Sequence, residues 1–280
     1  MQLPDLDTLE AAAQVVYQSM QGSPQLQWPL LAEACGCKLW VKHENHNPTG
    51  AFKVRGGLLY LHNLAAREPA VTGLVSATRG NHGQSLAYAA RRYGVHPVIV
   101  VPEGNSADKN RAMVALGAEL VVHGADFDEA VPHARALAEA RGLHAIPSFH
   151  PDLVTGVGTY GLELLRAQPQ LDRVYVPVGL GSGICGVASA RSALGLDTEI
   201  VGVVTTAADA YARSFAAGEV VATDTADTFA DGMAVRLPNA EALAIMREHV
   251  SRFVCVSDAE IAAAVLLYYR ATHNVAEGAG

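Results

Sequence analysis

Lysine is scarce in this chain: Lys38, Lys42, Lys53 and Lys109 are the only lysines among 20 lysines and arginines. Lys38 and Lys42 flank Trp40 at period two and read as the wet face of a strand. Lys109, in the polar stretch Asn105–Arg111, reads as a solvated helix start. Lys53 differs. It lies in Asn47-Pro-Thr-Gly-Ala-Phe-Lys-Val-Arg-Gly-Gly57, where a Pro/Gly turn feeds a helix whose first turn puts an amine beside an aromatic ring and small residues. A crowded apolar shell disfavours the ammonium form, lowers the pKa and frees an amine able to attack a carbonyl. The alternative is a helix lysine that snorkels to water.

Two further segments end strands and open helices. In Ser76-Ala-Thr-Arg-Gly-Asn-His-Gly-Gln84, Ser76, Thr78, Arg79, Asn81 and His82 offer short polar groups beside free backbone amides, where open α/β sheets bind ligands. The alternative is a plain βα turn with Asn81 as cap and His82 as a satisfied neighbour. In Gly179-Leu-Gly-Ser-Gly-Ile-Cys-Gly186, glycines let a phosphate approach the backbone while a helix N-terminus supplies donors. Gly181-x-Gly183-x-x-Gly186 also fits a dinucleotide fingerprint. That reading needs an acid at the end of the next strand, about 20 positions on. The strand instead ends in Thr205-Thr206, so a single phosphate is preferred and a nicotinamide-dependent oxidoreductase is a remote alternative. A reactive amine, a polar loop and a phosphate cup together suit a phosphorylated aldehyde, and pyridoxal 5′-phosphate needs those three things.

The elements that must position these groups alternate β-branched runs with Ala/Leu-rich helical segments, the pattern of parallel sheets covered by helices. Strands are expected at Leu39–Lys42, Leu74–Ala77, Val98–Val101, Leu120–Val122, Val174–Val178, Ile200–Val204 and Phe253–Val256. Helices are expected near 8–20, 51–66, 82–93, 106–116, 126–141, 153–167, 183–194, 207–217, 239–249 and 258–273. Ser257 with Glu260 forms a capping box for the last. No linker divides the chain, so two lobes require an excursion: a small domain at 67–147 inserted in a large one made of 1–66 and 148–280.

Composition narrows the partners. Half the residues are apolar and 17% charged, ample for a core. A net charge of −8 argues against nucleic acid, which requires a basic face. The charge-free run Val174–Ala190 is broken by glycines and a proline, so no membrane span is expected there. The N-terminus MQLPDLDTLE carries acids where an export signal carries bases, which points to a cytoplasmic setting. Cys35, Cys37, Cys185 and Cys255 form no CxxC pair and read as free thiols.

The chain resembles the threonine/serine dehydratase and serine racemase family of fold-type II pyridoxal-phosphate enzymes, which tryptophan synthase β chain and cysteine synthase also resemble. The likeness rests on Pro48–Gly56, Arg79–Gln84, the glycine loop, Phe229-Ala-Asp-Gly232 and His273-Asn-Val-Ala-Glu-Gly-Ala-Gly280. It implies an α/β fold with two doubly wound three-layer lobes and the cofactor between them. By that resemblance Lys53 carries the cofactor covalently, Phe52 packs against its ring, and Asn81 bonds its phenolic oxygen. Gly179, Leu180, Gly181, Ser182 and Gly183 hold its phosphate, and Glu277 lies near its ring. Ser76, Thr78, Arg79, Asn81 and His82 fall in the substrate loop. The implied reaction is β-elimination, an ammonia-lyase activity in which Lys53 takes the α-proton and the β-hydroxyl of L-threonine, or of L-serine, leaves. The other readings are 3-hydroxyaspartate dehydration, β-replacement, or an inactive relative. Relatives of this family are usually dimers or tetramers, which implies a homo-oligomer.

Three departures from the family pattern carry expectations. Arg79 stands where racemases have a serine acid/base, so racemisation should be poor, and an inward Arg79 would favour 3-hydroxyaspartate. Val204 and Ala210 occupy the family's divalent-cation positions, so no tight activating metal is expected. Relatives continue beyond the Glu277 motif to a serine that meets the pyridine nitrogen, so either this sequence is a fragment or water or another group takes that place. Feedback through a C-terminal regulatory domain is not expected.

Overall fold

The computed structural model describes residues 1–280. Asp5 caps α1 (Leu6–Tyr17) by accepting from the Thr8 amide, and Leu9, Ala12, Ala13 and Val16 form its buried stripe. An antiparallel pair, β1 (Gln25–Gln27) with β2 (Trp40–Lys42), encloses α2 (Pro29–Cys35), which starts on a proline and stops at left-handed Gly36. Then comes α3 (Lys53–Arg67), buried along most of its length.

The next strands form one parallel sheet. β3 (Gly73–Ala77), α4 (Asn81–Tyr93), β4 (His96–Val101), α5 (Ala107–Ala115), β5 (Glu119–Val122), α6 (Phe127–Arg141) and β6 (His144–Ala145) follow in chain order. The spatial strand order is β5-β4-β3-β6. Strand β3 is buried throughout and β4 everywhere but His96, because helices cover both faces. Leu74, Ile99 and Val101 pack with Leu86 and Met113 on one face, while Val75, Val98 and Val100 pack with Ala130 and Ala134 of α6 on the other.

The second parallel sheet is built from later sequence. It comprises α7 (Pro151–Ala167), β7 (Arg173–Pro177), α8 (Ser182–Ala193), β8 (Glu199–Thr205), α9 (Ala210–Ala217), α10 (Ala240–His249), β9 (Arg252–Val256) and α11 (Asp258–Thr272). Its strand order is β7-β8-β9. The Ser257–Glu260 capping box opens α11 as its sequence announces. No helix is long and apolar enough to cross a membrane.

All seven strands and ten helices read from the sequence are present, with ends shifted by a few residues. The additions β1, α2 and β6 are too short to show a period. Two expectations about lysines fail. Lys42 is not on a wet face: its side chain is 8% exposed, with Nζ 2.5 Å from Glu163 and 2.7 Å from the Ser23 carbonyl. Lys109 is not a solvated helix residue either, and its partners belong to the site.

Candidate active site

Lys53 is the first residue of α3, and the preceding Phe52 offers no side-chain cap. Its Nζ lies 3.3 Å from Ser182 Oγ and 5.0 Å from the centre of the Phe52 ring. Burial pushes its pKa down to about 8, while the negative charge of Glu277 pulls more weakly the other way. The amine therefore titrates within reach of neutrality.

Two residues along α3, Arg55 is fully buried and anchors the lysine's helix. Its Nε and Nη2 bond Glu44 at 2.8 and 2.9 Å, and its Nη1 bonds Glu163 at 2.6 Å and Thr159 at 3.1 Å. Burial disfavours the guanidinium, yet the two carboxylates outweigh it and hold its pKa above the ordinary value. This network was not legible in the sequence, because Glu44 and Glu163 lie 11 and 108 positions from Arg55.

The glycine loop joins β7 to α8. Gly181, at the N-cap of α8, has φ +105°, a left-handed conformation that favours glycine, and contributes no side-chain cap. The first amides of α8 are therefore left without intrahelical partners. Close approach also demands glycine at two neighbours: a Cβ on Gly179 would strike the Gly232 carbonyl oxygen, and one on Gly183 would sit 3.2 Å from the Phe52 ring. Tyr211 Oη donates to the Leu180 carbonyl at 3.0 Å and fixes the loop from behind. A cavity of about 440 Å³ opens over this cup, lined among others by Phe52, Lys53, Asn81, Gly179 to Gly183, Gly232 and Glu277. A glycine-rich cradle, a helix N-terminus and an amine whose pKa is pushed down to about 8 fit a phosphorylated aldehyde.

The β3–α4 loop closes the other side. Ser76 is buried and donates to the Ile146 carbonyl at 2.7 Å, so it ties down the strand end and lines neither cavity. Thr78 Oγ1 accepts from the Gly80 amide at 2.9 Å. The N-cap of α4 is Gly80, not Asn81. Asn81 instead donates to Glu277 Oε1 at 2.5 Å. His82 is not a satisfied neighbour: its Nε2 is buried without a partner, and burial plus the Lys53 charge push its pKa down to about 3. Arg79 Nε is likewise buried and unpartnered. Both line a second cavity of about 70 Å³ with Lys53, Thr78, Asn81, Lys109 and Asp231.

Lys109 crosses from α5 over Gly80, where any Cβ would collide with its side chain. Its Nζ reaches Glu277 Oε2 at 2.5 Å and Asp231 Oδ1 at 2.6 Å. Burial works against its charge, but the two carboxylates prevail and raise its pKa. The motif Phe229–Gly232 supplies Asp231, and nothing local in the sequence marks that residue as a partner of Lys109.

The two parallel sheets and the amine facing a glycine cup define a protein built to hold a phosphorylated carbonyl compound beside a lysine. A family model described as pyridoxal-phosphate dependent enzyme matches residues 16–280, and the chain belongs to that family. The chain is 34% identical over 266 residues to a biosynthetic L-threonine dehydratase of Pasteurella multocida, covering 95% of this chain and 52% of that protein. It is 36% identical over 250 residues to an L-threonine ammonia-lyase of Geobacter sulfurreducens, covering 89% and 62%. The chain thus spans only about half the length of such relatives. Among solved structures, the processed threonine deaminase isoform 2 of Solanum lycopersicum superposes with a TM-score of 0.88 at 33% identity, covering 99% of this chain and 82% of that one. The α/β fold expected from the sequence is accordingly that of the tryptophan synthase β-like class.

Proposed function

We propose that this chain catalyses the pyridoxal-phosphate-dependent β-elimination of a hydroxy amino acid, with L-threonine, and L-serine beside it, giving a 2-oxo acid and ammonia. The observation that carries the reading is the Lys53 amine, with its pKa near 8, set 3.3 Å from Ser182 between the glycine cup and the Asn81 loop. The names of the dehydratase and ammonia-lyase relatives favour the same reaction.

Gly179, Leu180, Gly181, Ser182 and Gly183 would hold the cofactor phosphate, with the free amides of α8 as donors, and Phe52 would pack beside it. Asn81 and Glu277, bonded to each other on the cavity wall, would supply polar contacts to the ring. When bound, pyridoxal phosphate supplies the electron sink that stabilises negative charge at the substrate Cα. Thr78, Asn81 and His82 bind the substrate carboxylate, while Ser76 holds the strand end that presents them. With a pKa near 3, His82 is a neutral hydrogen-bonding group and no base at pH 7. The base is Lys53, whose uncharged amine takes the α-proton. The C–H electron pair forms the Cα–Cβ double bond as the Cβ–O bond breaks, the leaving hydroxyl takes a proton and departs as water while the proton gained by Lys53 balances it, and hydrolysis of the resulting enamine releases ammonia. Residues 67–147, which contain the whole four-stranded sheet, act as the smaller lobe that carries the substrate loop.

The test is an assay of purified protein supplied with pyridoxal phosphate. L-threonine is expected to yield 2-oxobutanoate and ammonia in equal amounts, and Lys53→Ala to lose both the product and the bound-cofactor absorbance. A protein that takes up the cofactor on Lys53 yet turns over neither threonine nor serine would be a binding relative, and the proposal would fail.

A further inference from the structure

We propose that the 70 Å³ cavity beside Lys53 is a subsite for a carboxylate on the substrate's β-carbon, with Arg79 as the residue that selects it. The preferred substrate class is then a 3-hydroxy dicarboxylic amino acid, the simplest being 3-hydroxyaspartate. This inference rests on the elimination reading above.

Two polar nitrogens on the wall of this one cavity are buried and have no partner: Arg79 Nε and His82 Nε2. His82 is only 6% exposed, so no bulk water compensates it. Burying a donor unpaired is costly, and Arg79 is otherwise half-buried, so the rest of its fork is free to meet an acceptor. Such a pair is retained where an acceptor arrives with a ligand.

The charges on the walls say which acceptor. Three cations line the cavity, Lys53, Arg79 and Lys109, against one acid, Asp231. Lys109 is committed to Asp231 and Glu277. Lys53 is the base of the proposed reaction and loses its charge near pH 8. That leaves the Arg79 guanidinium as the uncompensated positive charge, and its planar fork matches a carboxylate in two parallel hydrogen bonds.

Size and position restrict the ligand further. At about 70 Å³ the cavity has room for a carboxylate. Lys53 is on the wall of this cavity, so a group placed there lies beside the amine that takes the α-proton. The α-carboxylate takes Thr78, Asn81 and His82, which leaves Arg79 Nε for a second anion, carried by Cβ. Elimination from such a substrate balances as it does for threonine: 3-hydroxyaspartate loses the α-proton and the β-hydroxyl as water, and hydrolysis of the enamine gives oxaloacetate and ammonia.

The experiment compares kcat/KM for L-threonine and for each diastereomer of 3-hydroxyaspartate in the cofactor-loaded wild type, Arg79→Gln and Arg79→Lys. A charge-assisted, two-point contact predicts that one diastereomer exceeds threonine by at least about tenfold in the wild type. Arg79→Gln should lower the hydroxyaspartate-to-threonine ratio by about tenfold or more, mainly through KM, with Arg79→Lys recovering part of it. An unchanged ratio overturns the proposal. So does a parallel fall for both substrates, which would assign Arg79 to the α-carboxylate. Should the variants fail to fold, inhibition of the wild type decides: succinate must compete at concentrations about tenfold below butyrate, since only succinate has the second carboxylate, and equal potency overturns the inference. If no hydroxy amino acid is eliminated at all, the reaction assignment is what fails, and the succinate and butyrate comparison, read by perturbation of the cofactor absorbance, still judges the subsite.

Discussion

At the scale of single residues, Lys53 and His82 are both forced toward neutrality by burial, with opposite consequences along the pH axis. For Lys53 the folded-state pKa is about 8 against an ordinary 10.5, so the reactive amine appears as pH rises through 8. The rate at which cofactor-free protein captures pyridoxal phosphate should therefore climb with a midpoint near pH 8 in place of the 10.5 of an ordinary lysine. A midpoint near 10.5 would mean an amine open to water. For His82 the folded value is about 3 against 6.5. The unfolded chain binds the proton first, so stability falls as pH drops from 6.5 toward 3. His82→Gln should remove about 2 kcal/mol of the stability lost between pH 7 and pH 5, measured by urea unfolding at each pH. The sequence made Lys53 legible because its neighbours in the chain are also its neighbours in space. It misled on Lys42 and Lys109, whose carboxylates lie 121 and 168 positions away. An acid that distant leaves no trace in local spacing.

At the scale of elements, the lysine's position depends on how closely α3 can lie on α7. A Cβ on Gly156 would sit 2.5 Å from the Arg55 carbonyl oxygen, and one on Gly56 would sit 2.8 Å from that of Leu153. Both obstacles are backbone, which cannot rotate aside. Gly156→Ala should cost about 3 kcal/mol through forced helix separation. Gly94→Ala is the control: its φ is +64° but nothing lies within 4 Å of the added carbon, so only the left-handed strain of about 1 kcal/mol applies. Equal midpoint shifts for the two variants in thermal melts would show that the helix contact is looser than described. The same contact encloses Arg55, and Arg55→Met should cost about 3–5 kcal/mol by stranding Glu44, while Glu163 keeps Lys42. Hydrophobic alternation revealed the strands and helices, because parallel sheets buried on both faces write long apolar runs into the chain. It could not reveal this crossing, since two glycines 100 positions apart mean nothing until the helices meet.

At the scale of the whole molecule, the two sheet units meet across the site through ion pairs of different depth. Arg236 reaches Asp126 at 2.5 Å and Asp128 at 3.3 Å on the half-exposed rim, where solvent screening leaves little net energy. Lys109 reaches Asp231 and Glu277 inside the cleft, with its own side chain 17% exposed. The inner pair does more than join the units, because Glu277 is also the charge that pulls the Lys53 amine upward. Lys109→Met would take a positive charge from the cleft and leave the Glu277 carboxylate without its ammonium partner. Both changes favour protonated Lys53, so the midpoint for capture of pyridoxal phosphate should move above about 8 and the capture rate at pH 7.5 should fall. Arg236→Gln loosens the rim while leaving Glu277 paired, so its midpoint should stay with that of the wild type even if its melting temperature drops. If both variants shifted the midpoint equally, the cause would be a general opening of the cleft, and the Lys109–Glu277 pair would have no part in setting the lysine's charge.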